Sequence, residues 1–252
     1  AGKLTNLDFP KFAKDQFGIL AVEYVNGFWK DKGRDQGYLK DLKGRCDGEG
    51  VYSNLIMVDG EGAIGEETEA GRLKTIEQHK QWVEAAKFLG CRHVRVNAQS
   101  KGSYEEQMDR AADGLARLGA FAKDFGINII VENHGGLSSN GKWLSGVIKK
   151  VGMANVGTLP DFGNFHEYDR YLGVQETMPF ARAVSAKSHD FDDAGNETKT
   201  DYSKMMRIVV KEHHYHDYVG IEYEGGRLGE VEGVRATLKL LERCRAELAK
   251  DA

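Results

Sequence analysis

Apolar residues along the chain follow two spacings, one typical of amphipathic helices and one typical of buried strands. Short apolar runs predict strands over residues 19–25, 51–58, 92–97, 127–132, 156–161, 183–189 and 218–222. Segments with helical spacing follow each of them, over 35–45, 67–89, 104–125, 142–151, 167–178, 202–213 and 230–248. One further helix, over 8–17, precedes the first of these strands. The order predicts a chain of strand–helix units.

Strands that alternate with helices of this length pair in parallel through right-handed crossovers. Eight such units close a (β/α)8 TIM-type barrel, and 252 residues suit one such domain. No linker or composition break divides residues 1–252, so we predict a single α/β barrel domain. Residues 1–7 are too few and too polar to form a strand ahead of the first helix. We therefore expect the first barrel strand to be missing from this chain, with an open barrel or a doubly wound sheet as alternatives.

Charge and apolar content exclude two classes of protein. The formal net charge is −4, which does not suit a protein that binds the phosphate backbone of a nucleic acid. No stretch approaches about 18 consecutive apolar residues, so no membrane-spanning helix is predicted. The three cysteines stand far apart, which indicates free thiols. We expect a soluble protein, cytoplasmic or, if a signal peptide has been removed, periplasmic, and leave a homo-oligomer open.

Polar side chains stand where the predicted strands end, which is where parallel barrels build their active sites. Ile130, Glu132 and His134 share one side of their strand, and Gly220 and Glu222 share one side of the last strand. A glycine is what a crowded barrel interior tolerates, so both patterns place a carboxylate in the barrel lumen near its top.

A buried carboxylate needs a partner, because an unpaired charge is costly away from water. A divalent cation is one such partner, and oxygen ligands with one imidazole favour Mn²⁺, Mg²⁺, Co²⁺ or Zn²⁺. Arg95 and Lys187 also point inward by strand alternation, so ion pairs are the other solution. The residue pattern alone leaves both solutions open.

Three strand ends resemble those of the xylose isomerase-like TIM barrel superfamily, the sugar phosphate isomerase/epimerase and endonuclease IV group. VENHGG (131–136) resembles its Glu-Asn-x-x-Gly strand end, LPDFGNF (159–165) its Asp strand end and GIEYEGG (220–226) its final Glu strand end. The resemblance covers most of the chain, from about residue 15 to 249. It implies a small-molecule carbohydrate as substrate and three metal ligands, at Glu132, Asp161 and Glu222.

The family's fourth ligand is a histidine that stands early in a His-x-Lys-Asp-like strand end. The matching stretch here is Ser185-Ala186-Lys187-Ser188, and the histidine comes later, at His189. His189 shares a strand face with Ser185 and Lys187, so we expect it to be the fourth ligand, with a water or His166 as replacement. The implied cofactor is one divalent metal ion, Mn²⁺ before Mg²⁺, Co²⁺ or Zn²⁺.

The resemblance also implies a reaction in which Glu132 and Glu222 take and return a proton beside a carbonyl group, through an enediolate. That chemistry is isomerisation or epimerisation of a sugar. Five further residues near strand ends are expected to contact the sugar: His134, Lys187, Asn97, His166 and Arg227.

Three other functions compete with a sugar isomerase or epimerase. The same proton abstraction serves a metal-dependent lyase that acts by elimination on keto-sugars or glycosides. A non-catalytic sugar-binding barrel is expected if the two glutamates pair only with Lys187 and Arg95. A DNA-repair phosphodiesterase is disfavoured, because Asn164 stands where its second histidine would follow the Asp and the net charge is −4.

Overall fold

The computed structural model describes residues 4–251, and Ala1–Lys3 and Ala252 lie outside this range. All seven predicted strands are present, and the first six are shorter than predicted by one or two residues. They are β1 Ala21–Val25, β2 Tyr52–Met57, β3 His93–Val96, β4 Asn128–Glu132, β5 Val156–Leu159, β6 Val184–Ser188 and β7 Val219–Tyr223.

The strands run parallel, as the strand–helix alternation predicts. β1 to β5 form one sheet in chain order, and β6 pairs with β7. Strand β5 was predicted to reach Asp161 but ends at Leu159, because Pro160 has no N–H to donate to a neighbour. Parallel bridges from Thr158 to Ala181 and from Asp161 to Ser185 join the two groups of strands.

No pairing between β1 and β7 is present among the described residues, and the ring of strands has a seam there. An apolar groove of about 930 Å³ follows this seam and is covered by the first and last helices. Phe12, Val22 and Leu238 are among the side chains that line it. Residues 4–20 contain no strand. The expectation that the first barrel strand is missing from this chain stays a prediction.

Over residues 4–251, eight α-helices occupy the predicted segments. They are α1 Phe9–Phe17, α2 Gln36–Glu49, α3 Glu69–Leu89, α4 Tyr104–Asp124, α5 Gly141–Val151, α6 Arg170–Thr177, α7 Tyr202–Met206 and α8 Glu230–Leu248. Helix α7 is shorter than predicted, because the chain widens into a π-helix over Arg207–Glu212. None of the described helices combines the length and the apolar character that a membrane crossing requires.

The apolar side chains form two large clusters and one small cluster. The first large cluster joins β1–β5 to the helices between them. The second joins β6 to α6, α7 and α8. The small cluster lines the lumen and contains Leu55, Met57, Ile130, Leu159 and Ala183. Because Ile130 lies in the lumen while its neighbours Ile129 and Val131 lie in the first large cluster, the predicted strand alternation in β4 is confirmed.

Candidate active site

Three carboxylates meet at the carboxyl ends of the strands. Glu132 is the last residue of β4, Asp161 follows β5, and Glu222 lies in β7. One ligand oxygen of each lies within 4.8 Å of the others. Glu132 and Asp161 are fully buried, whereas the Glu222 side chain is 32% exposed. The predicted carboxylate set is therefore brought together at one edge of the lumen.

Asp161 is held by its backbone and by one of its two oxygens. The side chain of Asn133 pairs with both backbone groups of Asp161, at 2.7 and 3.0 Å, and so ties the end of β4 to the end of β5. Oδ1 accepts hydrogen bonds from the amides of Gly163 and Asn164, at 2.9 and 2.8 Å. Oδ2 is buried and has no hydrogen-bond partner. Burial, together with the nearby charge of Glu222, raises the pKa of Asp161.

Oε1 of Glu132 accepts a hydrogen bond, whereas the buried Oε2 has an ion-pair partner but no hydrogen bond. Asn164 Nδ2 donates to Oε1 at 3.0 Å, and Arg95 Nε lies 2.8 Å from Oε2. Burial raises the pKa of Glu132, and the positive charge of Arg95 only partly offsets this effect. Arg95 also pairs with Asp59 at 2.7 Å. The predicted inward direction of Arg95 is confirmed, and its guanidinium links two carboxylates.

Glu222 is held by Lys187 and Ser185. Lys187 Nζ lies 3.1 Å from Glu222 Oε1 and 3.0 Å from Glu224, and it donates to Asn164 Oδ1 at 3.2 Å. Ser185 Oγ donates to Glu222 Oε2 at 3.2 Å. Burial alone would lower the pKa of Lys187, but the surrounding carboxylates raise it above its usual value. Lys187 therefore stays an ammonium group inside the site.

The ion pairs that were the alternative to a cation are both present, Glu132 with Arg95 and Glu222 with Lys187. They do not satisfy the whole cluster, because Asp161 Oδ2 and Glu132 Oε2 are both buried and accept no hydrogen bond. Three carboxylates within reach of one point are also a ligand set that hard divalent cations accept. The residues present therefore fit a divalent cation.

The predicted fourth ligand, His189, is not part of this carboxylate group among the described residues. Its backbone amide donates to Glu197 Oε1 at 3.2 Å, and its imidazole lies beside Gly163, one layer above Lys187. The reason is geometric, since His189 stands four residues beyond Ser185 on the same strand face. Its role as a ligand stays a prediction.

The other predicted sugar contacts differ in their burial and in the groups that they contact. Asn97 belongs to the Arg95 network, where its amide donates to Asp59 at 2.8 Å. His134 is half-buried, and burial lowers its pKa. His166 and Arg227 are exposed on the loops that follow β5 and β7.

Glu23 and Ser185 are site residues that strand-end reasoning missed. Glu23 lies in the middle of β1, accepts a 2.8 Å hydrogen bond from Asn54, and faces Gly220 across the seam. Loss of water around its carboxyl group raises the pKa of Glu23 to about 7. The signal was a single acidic residue inside an otherwise apolar strand, which indicates an inward polar position.

Comparison with known proteins identifies the family. The model of the family described as xylose isomerase-like TIM barrel matches residues 12–244. The chain belongs to this family. No match was found among curated proteins.

Solved structures share the fold at low identity. A 3-keto-D-glucoside 4-epimerase, YcjR, from E. coli superposes with a TM-score of 0.73 at 16% identity, over 96% of this chain and 94% of that one. D-psicose 3-epimerase from Clostridium cellulolyticum H10, solved with D-tagatose, gives 0.75 at 10% identity, over 97% and 94%. A family member from Mycobacterium smegmatis in complex with magnesium gives 0.68 at 15% identity, over 96% and 88%.

Proposed function

We propose that the protein is a divalent-metal-dependent sugar isomerase or epimerase in which Glu132 and Glu222 transfer the proton. The observation that carries the proposal is the convergence of Glu132, Asp161 and Glu222 within 4.8 Å at the carboxyl ends of parallel strands. Membership of the xylose isomerase-like family and a fold shared with sugar epimerases support it.

Glu132, Asp161 and Glu222 would hold the cation, which would satisfy the buried oxygens Asp161 Oδ2 and Glu132 Oε2 that accept no hydrogen bond. When bound, a divalent cation polarises a carbonyl group and so makes the proton on the neighbouring carbon more acidic. Mn²⁺, Mg²⁺, Co²⁺ and Zn²⁺ all accept oxygen ligands of this kind.

Each glutamate is anchored in a way that suits proton transfer. Asn164, from the loop after β5, and Arg95, from β3, hold Glu132, and Lys187 and Ser185 hold Glu222. A fixed carboxylate loses little entropy when it meets the substrate carbon. In the proposed reaction one glutamate removes the proton beside the carbonyl group, and the other returns it to the same or the other face.

The substrate is proposed to be a small carbohydrate with a keto or aldehyde group. Its hydroxyl groups would meet the polar residues that border the carboxylates, among them the buried Lys187 ammonium. His134, Asn97, His166 and Arg227 complete the proposed set of sugar contacts.

The test is a panel of ketoses and 3-keto-glycosides assayed in deuterated buffer with Mn²⁺. We expect isomer or epimer formation and solvent deuterium at the carbon beside the carbonyl. Glu132→Gln and Glu222→Gln should each abolish turnover while the circular dichroism spectrum is unchanged. Glu77→Gln, on the exposed face of α3, should keep full activity.

Two outcomes would contradict this assignment. Unchanged turnover in either active-site glutamine variant would remove the proton-transfer roles. An unsaturated product, detected by its ultraviolet absorbance, would replace isomerisation by the lyase reaction at the same carboxylates.

A further inference from the structure

Ser185 stands between two of the three carboxylates. In the ladder of strands it pairs with Asp161 through a parallel bridge on one side, where its amide donates to Pro160 O at 2.9 Å. On the other side its hydroxyl donates to Glu222 Oε2 at 3.2 Å. Ser185 is 2% exposed. Its side chain therefore lies on the luminal face of β6, beside the carboxylate cluster.

The neighbouring residues confirm which face of β6 this is. Lys187, two residues further on, meets Glu222 in the lumen, whereas Ser188 points outward and contacts Thr237 of α8 at 2.6 Å. Strand order then places one oxygen-bearing side chain on each of four consecutive positions around the ring. They are Glu132 after β4, Asp161 after β5, Ser185 in β6 and Glu222 in β7.

A second observation points to a cation at this cluster. Asp161 is fully buried, and its Oδ2 has no hydrogen-bond partner. The Ser185 hydroxyl donates to Glu222 Oε2, and it also lies within hydrogen-bonding reach of the Asp161 carboxyl group. The hydroxyl oxygen keeps its lone pairs, which leaves it able to act as a neutral ligand.

We propose that Ser185 is the fourth oxygen group of the cation site and that this site contains no imidazole. The inference rests on the proposed function, since it specifies the metal centre assumed there. Sites built from oxygen ligands bind Mg²⁺ and Mn²⁺ well, whereas an imidazole ligand adds affinity for Zn²⁺ and other later metals. Ser185 therefore biases the site toward hard divalent cations.

The direct test replaces Ser185 by cysteine, which is close to it in size. A thiolate bound to Co²⁺ produces a strong ligand-to-metal charge-transfer band in the near ultraviolet. We expect this band in Co²⁺-loaded Ser185→Cys and not in the parent protein. Ser188→Cys is the matched control, because the same strand carries it outward, and it should lack the band.

A second variant, Ser185→His, tests selectivity without any assay of turnover. Titration calorimetry should give a ratio of Zn²⁺ to Mg²⁺ affinity that is higher than in the parent by roughly tenfold or more. Ser185→Ala should bind Mn²⁺ more weakly than the parent.

The outcomes separate this inference from the proposed function. Stoichiometric Co²⁺ binding to Ser185→Cys without the band would overturn the role of Ser185 and leave the three-carboxylate site standing. An unchanged Zn²⁺ to Mg²⁺ ratio in Ser185→His would do the same. Failure of every variant and of the parent to bind any divalent cation would overturn both. Cation binding as described here, without activity on any sugar, would contradict only the proposed reaction.

Discussion

Arg95 Nε lies 2.8 Å from Glu132 Oε2, and the two side chains are only 5% and 1% exposed. Removing one partner of a buried ion pair is costly, because the other charge stays buried without compensation. In the absence of metal, Arg95→Met should therefore lower the free energy of unfolding by about 3 kcal/mol, as measured with urea and a chelator. Arg45→Met, which breaks an exposed ion pair on α2, should leave stability close to that of the parent, because solvent screens an exposed pair.

The Arg95→Met variant also tests the cation site. Mn²⁺ should add more stability to Arg95→Met than to the parent, since a cation would replace the positive charge that Arg95 places beside Glu132. An equal Mn²⁺ effect in both proteins would mean that Glu132 does not approach the metal.

The side-chain amide of Asn164 lies between Glu132 and Lys187, and Lys187 in turn pairs with Glu222. It donates to Glu132 Oε1 at 3.0 Å and accepts from Lys187 at 3.2 Å. Groups that orient metal ligands typically contribute about 10- to 100-fold in affinity or activity. Asn164→Ala should therefore weaken Mn²⁺ binding, measured by calorimetry, within roughly that range. Asn155→Ala removes an amide bonded to Gly119 O at 2.8 Å, far from the carboxylates, and should keep the parent affinity.

His93 makes stability depend on pH at the opposite end of the strands. Burial lowers its pKa from 6.5 to about 4, with the charge of Arg92 acting in the same direction. The folded protein therefore binds this proton more weakly than the unfolded chain does. The stability contributed by neutral His93 is fully present above pH 6.5 and is lost as the pH falls toward 4.

The variant that isolates this effect is His93→Asn. Between pH 7 and pH 5 it should lose about 2 kcal/mol less unfolding free energy than the parent. Exposed His216 provides the control, and His216→Asn should follow the parent curve. Parallel losses in the parent and His93→Asn would mean that His93 does not titrate on unfolding.

Substitution by alanine should change the stability in opposite directions at Gly114 and Gly44. A Cβ at Gly114 in α4 would lie 2.0 Å from the backbone oxygen of Ile64, whereas one at Gly44 in α2 would meet nothing within 4 Å. Gly114→Ala should destabilise the fold by about 2 kcal/mol. Gly44→Ala should stabilise it by about 0.5 kcal/mol or more, because alanine favours the helix. Thermal unfolding of both variants checks the pair, and a stable Gly114→Ala would contradict the close packing.

Strand alternation was enough to find two of the three carboxylates. Glu132 and Glu222 stand on the same side as Ile130 and Gly220, and that parity can be seen in a single strand. The family resemblance added Asp161. The resemblance also placed Ser185 in the stretch that matches the fourth-ligand strand end, but its contacts depend on which residues of the two neighbouring strands it lies beside. That register is set by the three-dimensional pairing of Asp161 with Ser185 and of Lys187 with Glu222.

Local backbone chemistry explains the remaining differences. The early end of β5 could have been predicted from Pro160, which cannot donate to a neighbouring strand. The π-helix over Arg207–Glu212 has no comparable signal, since its side chains have ordinary helical spacing. The inward position of Glu23 could have been predicted from its apolar strand, but its partner, Asn54, could not, because Asn54 comes from β2.

The division of the apolar core has a consequence for how the molecule unfolds. The first large cluster belongs to β1–β5 and the second to β6 and the helices after it, and only isolated bridges join the two groups of strands. Glu132 belongs to the first part, Glu222 to the second, and Asp161 lies at the junction. A cation shared by these residues would tie the two parts into one cooperative unit. Chelation should then broaden the unfolding transition or split it in two, with the C-terminal part separating from the rest.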